Sequence, residues 1–346
     1  MHQLLDRIAD RHDLDRDEAE RLFGAMIDGE LTPVQIAALL IGLRMKGEKP
    51  QEIAGAAKAV RDRATGFPAP EGPFMDVCGT GGDGAGSLNI STVAAIVLAE
   101  MGIPVVKHGN RSVSSKCGSA DLLEAFGVRL DPESSTARNC LDRVGICFLF
   151  APQYHQGLRH AMPVRAALKM RTIFNILGPL VNPARPPFQL LGVYDPALVE
   201  TMGLTLSSLG VRRSLVVHGG GMDEISVSGP TSAMLTEDGL VRRLEILPED
   251  AGLRRFPLHS LAGGDAAQNR RTVEALLSGH GEAAHEASVA INAGAAAWVA
   301  SAAKDIREGT QAALEAMRSG RCLARLSAWV KLSHEEPQKA GPSHGA

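Results

Sequence analysis

Apolar positions in the first 66 residues recur at helical spacing and predict four short helices. Leu4, Leu5, Ile8 and Ala9 form one stripe, and Ala19, Leu22, Phe23 and Met26 form a second behind Asp15 or Asp17 as cap. Thr32-Pro33 reads as an N-cap with proline at the first helical position, opening a helix that ends at Gly47. Pro50 opens the fourth helix, through Ala54, Ala57 and Val60. Ile36, Leu39, Leu40, Ile41 and Leu43 make the third helix more apolar than one face of a small bundle requires. A central place in the bundle and an additional partner surface, such as a second subunit, account for that surplus equally well.

The segment GFPAPEGP, residues 66–73, carries three prolines and two glycines and reads as a linker or domain crossing. Beyond it, short β-type runs alternate with helices. Strands are expected at Phe74–Val77, Ile103–Val106, Ile146–Phe150, Gln189–Val193, Ser214–Val217, Ser232–Leu235 and Leu240–Ile246, with helices over 91–102, 119–126, 132–144 and 196–209. Such alternation implies an α/β fold with a mainly parallel sheet covered on both faces. The turn Thr236-Glu237-Asp238-Gly239 implies a hairpin, so part of the sheet is expected to be antiparallel. Residues 157–183 interrupt the alternation and are expected to fold back against the N-terminal helices. From about residue 266 the chain is alanine-rich and helical, and residues 334–346 lack an apolar pattern and are expected to be a disordered tail.

Composition narrows the function classes. At 346 residues the length suggests about two domains, here 1–66 and 74–333. Hydrophobic content of 45% and charged content of 22% are ordinary for a globular protein. Aromatic content of only 4% and a net charge of -3 argue against a nucleic-acid surface, so an anionic ligand must be met by a local cluster. Five cysteines without a CxxC pair, a charged N-terminus and no long apolar run imply reduced thiols in a soluble, cytoplasmic protein.

Candidate chemistry concentrates between Met75 and Asp121. A glycine run, Gly79-Thr80-Gly81-Gly82-Asp83-Gly84, follows the first strand and leads through Ser87 to Asn89-Ile90-Ser91-Thr92 at a helix start. Lys107-His108-Gly109-Asn110-Arg111 follows the second strand, trailed by Ser112, Val113, Ser114, Ser115, Lys116 and Ser119. Glycines let backbone N–H groups approach an oxyanion, hydroxyls add donors, and the helix N-terminus adds a positive dipole end. Gly79, Gly81 and Gly84 satisfy GxGxxG, but the helix starts too late and no carboxylate ends the next strand, so a dinucleotide site is rejected. No GK[ST] follows the glycines, which excludes the Walker loop. A polyphosphate cradle of another design remains. His108 is assigned no acid–base role. Asp223-Glu224, in a glycine-rich loop after the strand SLVVH, are adjacent oxygen ligands suited to Mg²⁺, to which Ser91 could add its hydroxyl.

GTGGDG…NIST, KHGNRSVSSKCGSAD, HAMPVR, RTIFNILGPLVNP and VVHGGGMDEIS, in this order and spacing, resemble the anthranilate phosphoribosyltransferase family over nearly the whole chain. The resemblance implies transfer of the phosphoribosyl group of 5-phosphoribosyl-1-pyrophosphate to anthranilate, with release of pyrophosphate, in tryptophan biosynthesis. It also implies a small helical domain that forms a homodimer, a larger α/β domain, and two magnesium ions per subunit. Carried over by position, Gly79, Gly82, Asp83, Ser87, Asn89, Ile90, Ser91 and Thr92 are expected to hold the phosphoribosyl pyrophosphate. Lys107, His108, Gly109, Asn110, Arg111, Ser112, Val113, Ser114, Ser115 and Ser119 are expected to complete that site. Ser91, Asp223 and Glu224 match the metal ligands, and Gly79, Asn110 and Arg165 match positions that contact anthranilate. A guanidinium at Arg165 can pair with a carboxylate through two hydrogen bonds. Cys117 stands where many members carry serine, and a small residue suffices there.

Two other readings compete. A pyrimidine nucleoside phosphorylase would share the fold and the phosphate loop, and KHGNR with the tandem Asp223-Glu224 speaks against it. A non-catalytic nucleic-acid-binding relative would carry a basic excess, which a net charge of -3 denies.

Overall fold

The computed structural model describes residues 1–112 and 116–336. Its first four helices are α1 (His2–Ala9), α2 (Arg16–Ile27), α3 (Pro33–Lys46) and α4 (Pro50–Asp62). Asp15 caps α2 by accepting from the Glu18 N–H, and Thr32 does the same for α3 from the Gln35 N–H, so both chain entries are fixed by short-range hydrogen bonds. On α3, Ile36, Leu39, Leu40 and Leu43 face the bundle core, while Val34, Ala38 and Met45 lie exposed and Ile41 half-exposed on the opposite side.

The α/β part is one seven-stranded sheet. In chain order its elements are β1 (Met75–Gly79), α5 (Ile90–Glu100), β2 (Val105–Gly109), α6 (Ser119–Phe126), α7 (Ser134–Val144), β3 (Ile146–Phe150), α8 (Ala151–Tyr154), α9 (Met162–Leu168), α10 (Phe174–Leu177), β4 (Phe188–Gly192), α11 (Leu198–Ser208), β5 (Arg213–Gly219), β6 (Thr231–Glu237) and β7 (Leu240–Ile246). Four helices close the chain: α12 (Ala266–Leu277), α13 (Ala283–Val299), α14 (Ile306–Arg318) and α15 (Arg321–Ser333). Strand order is β3-β2-β1-β4-β5-β6-β7, parallel through β5 and antiparallel from β5 to β7, with the expected hairpin between β6 and β7. Because β1 runs on to β2 at one side and β4 to β5 at the other, the sheet order switches between β1 and β4. In open α/β sheets the ligand crevice forms beyond the strand ends at such a switch.

The period-2 alternation of the strands assigns the layers. Met75, Val77, Leu190, Leu215 and Val217 point into a core shared with α5 and the alanine-rich α13. Cys78, Leu191 and Val216 point into a second core shared with the N-terminal helices, α11 and residues 161–181. Arg61 anchors this second layer by donating to Leu180 O at 2.5 Å.

Several element ends differ from the sequence expectation. The second strand extends to Gly109, so Lys107 and His108 lie within it, because register with Phe148–Phe150 of β3 continues the ladder past the apolar run. The helix expected from 132 begins at Ser134, with Glu133 at its cap position. Within the expected tail, His334 Nε2 lies 2.9 Å from Gly127 O and Glu335 pairs with Arg143. Residues 337–346 lie outside the described part.

Candidate active site

The C-terminal ends of β1 and β4 are crossed by the loop that carries Asp223 and Glu224. Both strands end in glycine, and a Cβ on Gly79 or Gly192 would collide with Asp223. That requirement for bare backbone lets the acidic loop settle on the sheet edge. Asp223 Oδ2 accepts from the Gly81 N–H at 2.7 Å, and the Asp223 N–H donates to Asp83 Oδ2 at 3.3 Å. Glu224 Oε1 accepts from the Ser91 N–H at 3.1 Å, which sets a carboxylate on the positive end of α5. Lys107 reaches the same place from β2, donating to Val77 O at 2.5 Å and to Ser91 Oγ at 3.3 Å.

Electrostatics mark this cluster. Burial, reinforced by the charge of Asp83, raises the Asp223 carboxyl to about 7. Glu224 is pushed well above the usual carboxylate range by burial and by Asp223, against the pull of Lys107. Three carboxylates therefore face one buried ammonium, an imbalance that a divalent cation would relieve. Among the described residues no group of three or more His, Cys, Asp and Glu side chains forms a ready-made metal cage. Two carboxylates and a hydroxyl fit a hard cation whose remaining ligands are water and phosphate.

Beside the cluster lies a cavity of about 460 Å³, lined among others by Gly82, Asp83, Ser87, Lys116, Arg171 and Asn269. Gly81, Gly82, Gly84 and Gly86 all adopt positive φ, so the loop presents backbone in a form that side chains would not allow. Asn89 does not cap α5 with its side chain. Its Nδ2 donates to Cys117 O at 3.0 Å and its Oδ1 accepts from Asn269 Nδ2 at 3.0 Å, so both glycine-rich loops and α12 meet there.

The structure brings Gly79, Gly82, Asp83, Ser91, Lys107, Asp223 and Glu224 together, with Ser87 on the cavity wall and Asn89 bonded to the lining residue Asn269. Thr92 is buried in the first turn of α5, where its N–H donates to Asn89 O, and the Ile90 side chain lies in the core, leaving only its backbone toward the site. Ser119 Oγ donates to Asn110 O at 3.2 Å, and a Cβ on Gly109 would strike that hydroxyl. Arg111 is turned to Glu124, through two hydrogen bonds of 2.7 and 2.8 Å, and to Asp121. Asp121 also accepts from the Ser112 and Gly118 N–H groups. Val113, Ser114 and Ser115 lie outside the described residues. His108 points to the other face of the sheet, with Nδ1 3.2 Å from Gly178 O and Nε2 3.2 Å from His155 Nε2. Burial, with His155 beside it, lowers it to about 3, so the ring is neutral. Arg165 lies in α9 with its guanidinium 4.7 Å from the Phe174 ring centroid and, among the described residues, no carboxylate partner.

Matches to known proteins agree with this geometry. Residues 2–64 match the glycosyl transferase family helical bundle domain, and residues 71–323 match the glycosyl transferase family a/b domain. The anthranilate phosphoribosyltransferase of Sorangium cellulosum is 53% identical over 340 residues, covering 98% of both chains, and that of Aeromonas salmonicida is 47% identical over 336 residues, covering 97% of this chain and 100% of the relative. The chain belongs to the anthranilate phosphoribosyltransferase family. The crystal structure of the anthranilate phosphoribosyltransferase from Thermus thermophilus superposes with a TM-score of 0.91 at 39% identity, over 96% of this chain and 99% of the other. The Saccharomyces cerevisiae anthranilate phosphoribosyltransferase, solved in complex with PRPP and Mg, gives 0.87 at 25% identity, over 96% and 98%.

Site residues that sequence reasoning on this phosphoribosyltransferase fold did not single out are Arg171, Asn269 and the Gly263-Gly264 turn, while Lys116 enters there only as part of the second loop. Arg171 stands in the RTIFN run and Lys116 in SSKCG, so both lie inside family motifs that assign them no role. Asn269 and the glycine pair have no local signal. Gly263 reaches the cavity through its N–H to Gly86 O bond of 2.8 Å.

Proposed function

We propose that this protein transfers the phosphoribosyl group of 5-phosphoribosyl-1-pyrophosphate to the amino group of anthranilate, with release of pyrophosphate. The observation that carries the reading is the site itself: a left-handed glycine loop, a helix N-terminus and a buried lysine converge on an acid pair at the sheet's switch point. Displacement at an anomeric carbon goes through an oxocarbenium-like state, as in glycoside cleavage. Such a reaction needs charge on the leaving group met by preorganised donors and a positioned nucleophile, more than a strong base. N–H groups of residues 82–84, with Lys107 and Lys116, meet the phosphates. Asp83, Ser87, Asn89, Asn110 and Ser119 hold the remainder of the donor. Ser91, Asp223 and Glu224 hold magnesium, two ions per subunit, and magnesium when bound offsets the charge of the departing pyrophosphate.

Arg165 supplies the acceptor side. Burial lowers its guanidinium below the ordinary arginine range, and the group lies over the ring of Phe174, 4.7 Å from the centroid. The aromatic amine of anthranilate is neutral at pH 7, so the absence of an assigned general base is consistent with the chemistry. The exposed stripe Val34, Ala38, Ile41 and Met45 on α3 supports a homodimer through the N-terminal helices. Cys78, Cys140, Cys147 and Cys322 are free and buried, as a reducing cytoplasm permits.

The test is loss of anthranilate fluorescence on mixing with phosphoribosyl pyrophosphate and Mg²⁺. Turnover is expected from the intact protein, and Arg165→Ala is expected to raise KM for anthranilate at least about tenfold, the effect of one lost charge-assisted pair, with a smaller change for the donor. No turnover by the intact protein, or an unchanged anthranilate dependence in the variant, would refute the respective assignment.

A further inference from the structure

Arg171 belongs to neither group of residues assigned above, yet it stands in the chain segment of the acceptor side and touches the donor's loop. Its Nη2 donates to Gly82 O at 2.5 Å, inside the glycine loop. Its guanidinium lies 4.2 Å from the Tyr194 ring centroid, and the Tyr194 N–H donates to Thr80 Oγ1 at 3.0 Å, so its stacking platform is tied to the same loop. Among the described residues it forms no salt bridge, so no carboxylate competes for the guanidinium. In sequence it stands between Arg165 and Phe174, the two residues of the acceptor pair. Lys169 takes a left-handed conformation in this segment, and Arg44 of α3 donates to Arg171 O at 2.5 Å, which fixes its backbone.

The glycine loop on its own is a poor holder of shape. Four of its glycines sit at positive φ and contribute no side chain to packing, so its ordering costs more conformational entropy than that of other residues. A contact that orders the loop from the acceptor segment lowers what the second ligand must order on arrival.

We propose that Arg171 couples the two substrate sites, by tying the acceptor segment 165–174 to the donor's glycine loop so that occupancy of one tightens the other. Arg171 is on this view a positioning residue. The inference rests on the assignment of donor and acceptor given above. Linkage makes the effect reciprocal: anthranilate tightens the phosphate ligand by the same factor.

A non-reacting pair reads the coupling directly. Anthranilate fluorescence is titrated with protein in the absence and presence of saturating Mg²⁺-pyrophosphate, which fills the glycine loop without permitting transfer. The wild-type ratio of dissociation constants is expected to be about five to ten, within the usual span of coupling factors. In Arg171→Ala and Arg171→Gln the ratio is expected to fall to within about twofold of one, with the thermal melt unchanged because the side chain is exposed. Tyr194→Leu, which removes the platform, is expected to cut the ratio at least by about half. A ratio of one in the wild type, or an undiminished ratio in either Arg171 variant, overturns the proposal. Failure of anthranilate to bind the wild-type protein at all would defeat the functional reading instead.

Discussion

Lys107 and His108 are neighbours on β2, and both are nearly inaccessible, at 2% and 6%. They point to opposite faces of the sheet and meet opposite chemistry. Lys107 enters a place where Ser91, Glu224 and the Asp223 loop converge. His108 enters one where a backbone carbonyl and a second buried histidine wait, and burial lowers that partner, His155, to about 4. Burial alone therefore says little about role. What separates the two faces is whether the neighbours demand a charge: the lysine face holds more carboxylates than it can match, and the histidine face excludes charge on both rings.

The comparison breaks first at Lys107. Replacing it with methionine removes the buried ammonium whose charge favours the Glu224 carboxylate. Turnover is expected to drop by about two orders of magnitude or more, and stability by about 3–5 kcal/mol, the usual cost of stripping one partner from a buried set. Steady-state kinetics and urea unfolding check both, and a variant with near-normal turnover would remove the lysine from the site.

Neutralising the acids should separate activity from stability. Asp223→Asn with Glu224→Gln is expected to lose most magnesium-dependent turnover while gaining about 2 kcal/mol of stability at pH 7, because two carboxyls raised by burial no longer have to ionise. A melt that fell together with activity would show the pair to be structural.

The histidine face gives the smallest and most specific effect. His108 and His155 are held at about 3 and about 4, below the ordinary 6.5, so the unfolded chain takes up protons before the folded one does. Their contribution is full above about pH 6.5 and declines as pH falls, by about 2 kcal/mol per histidine at pH 5. Asp76, whose carboxyl is raised to about 6 by burial, works in the opposite direction, so the informative quantity is the difference between wild type and His155→Asn. The variant should lose less stability than wild type between pH 7 and pH 5 in urea unfolding, and equal losses would contradict the assignment of neutral rings.

Much of the glycine-loop side of the site was legible because its demands are local. Glycines that must bare their backbone, a hydroxyl-rich helix start and charges at a strand end are all written in consecutive residues. Local pattern gave no sign that Arg111 pairs with Glu124 thirteen positions along. It also misplaced the end of β2, because two polar residues ended the apolar pattern while the ladder with β3 continued. Arg171 and Asn269 carried no local signal. Their partners, Gly82 and Asn89, lie 89 and 180 positions away.

The sequence by itself determined the helical bundle, the parallel α/β layer, the glycine loops and the acid pair, because caps, periodicity and backbone freedom act over a few residues. Tertiary structure alone decided which face each strand residue serves, that Asp223 lies across Gly79 and Gly192, and that Arg171 grips the glycine loop. Those outcomes depend on strand order and on contacts between segments far apart in the chain, which only the packed molecule brings within hydrogen-bonding distance.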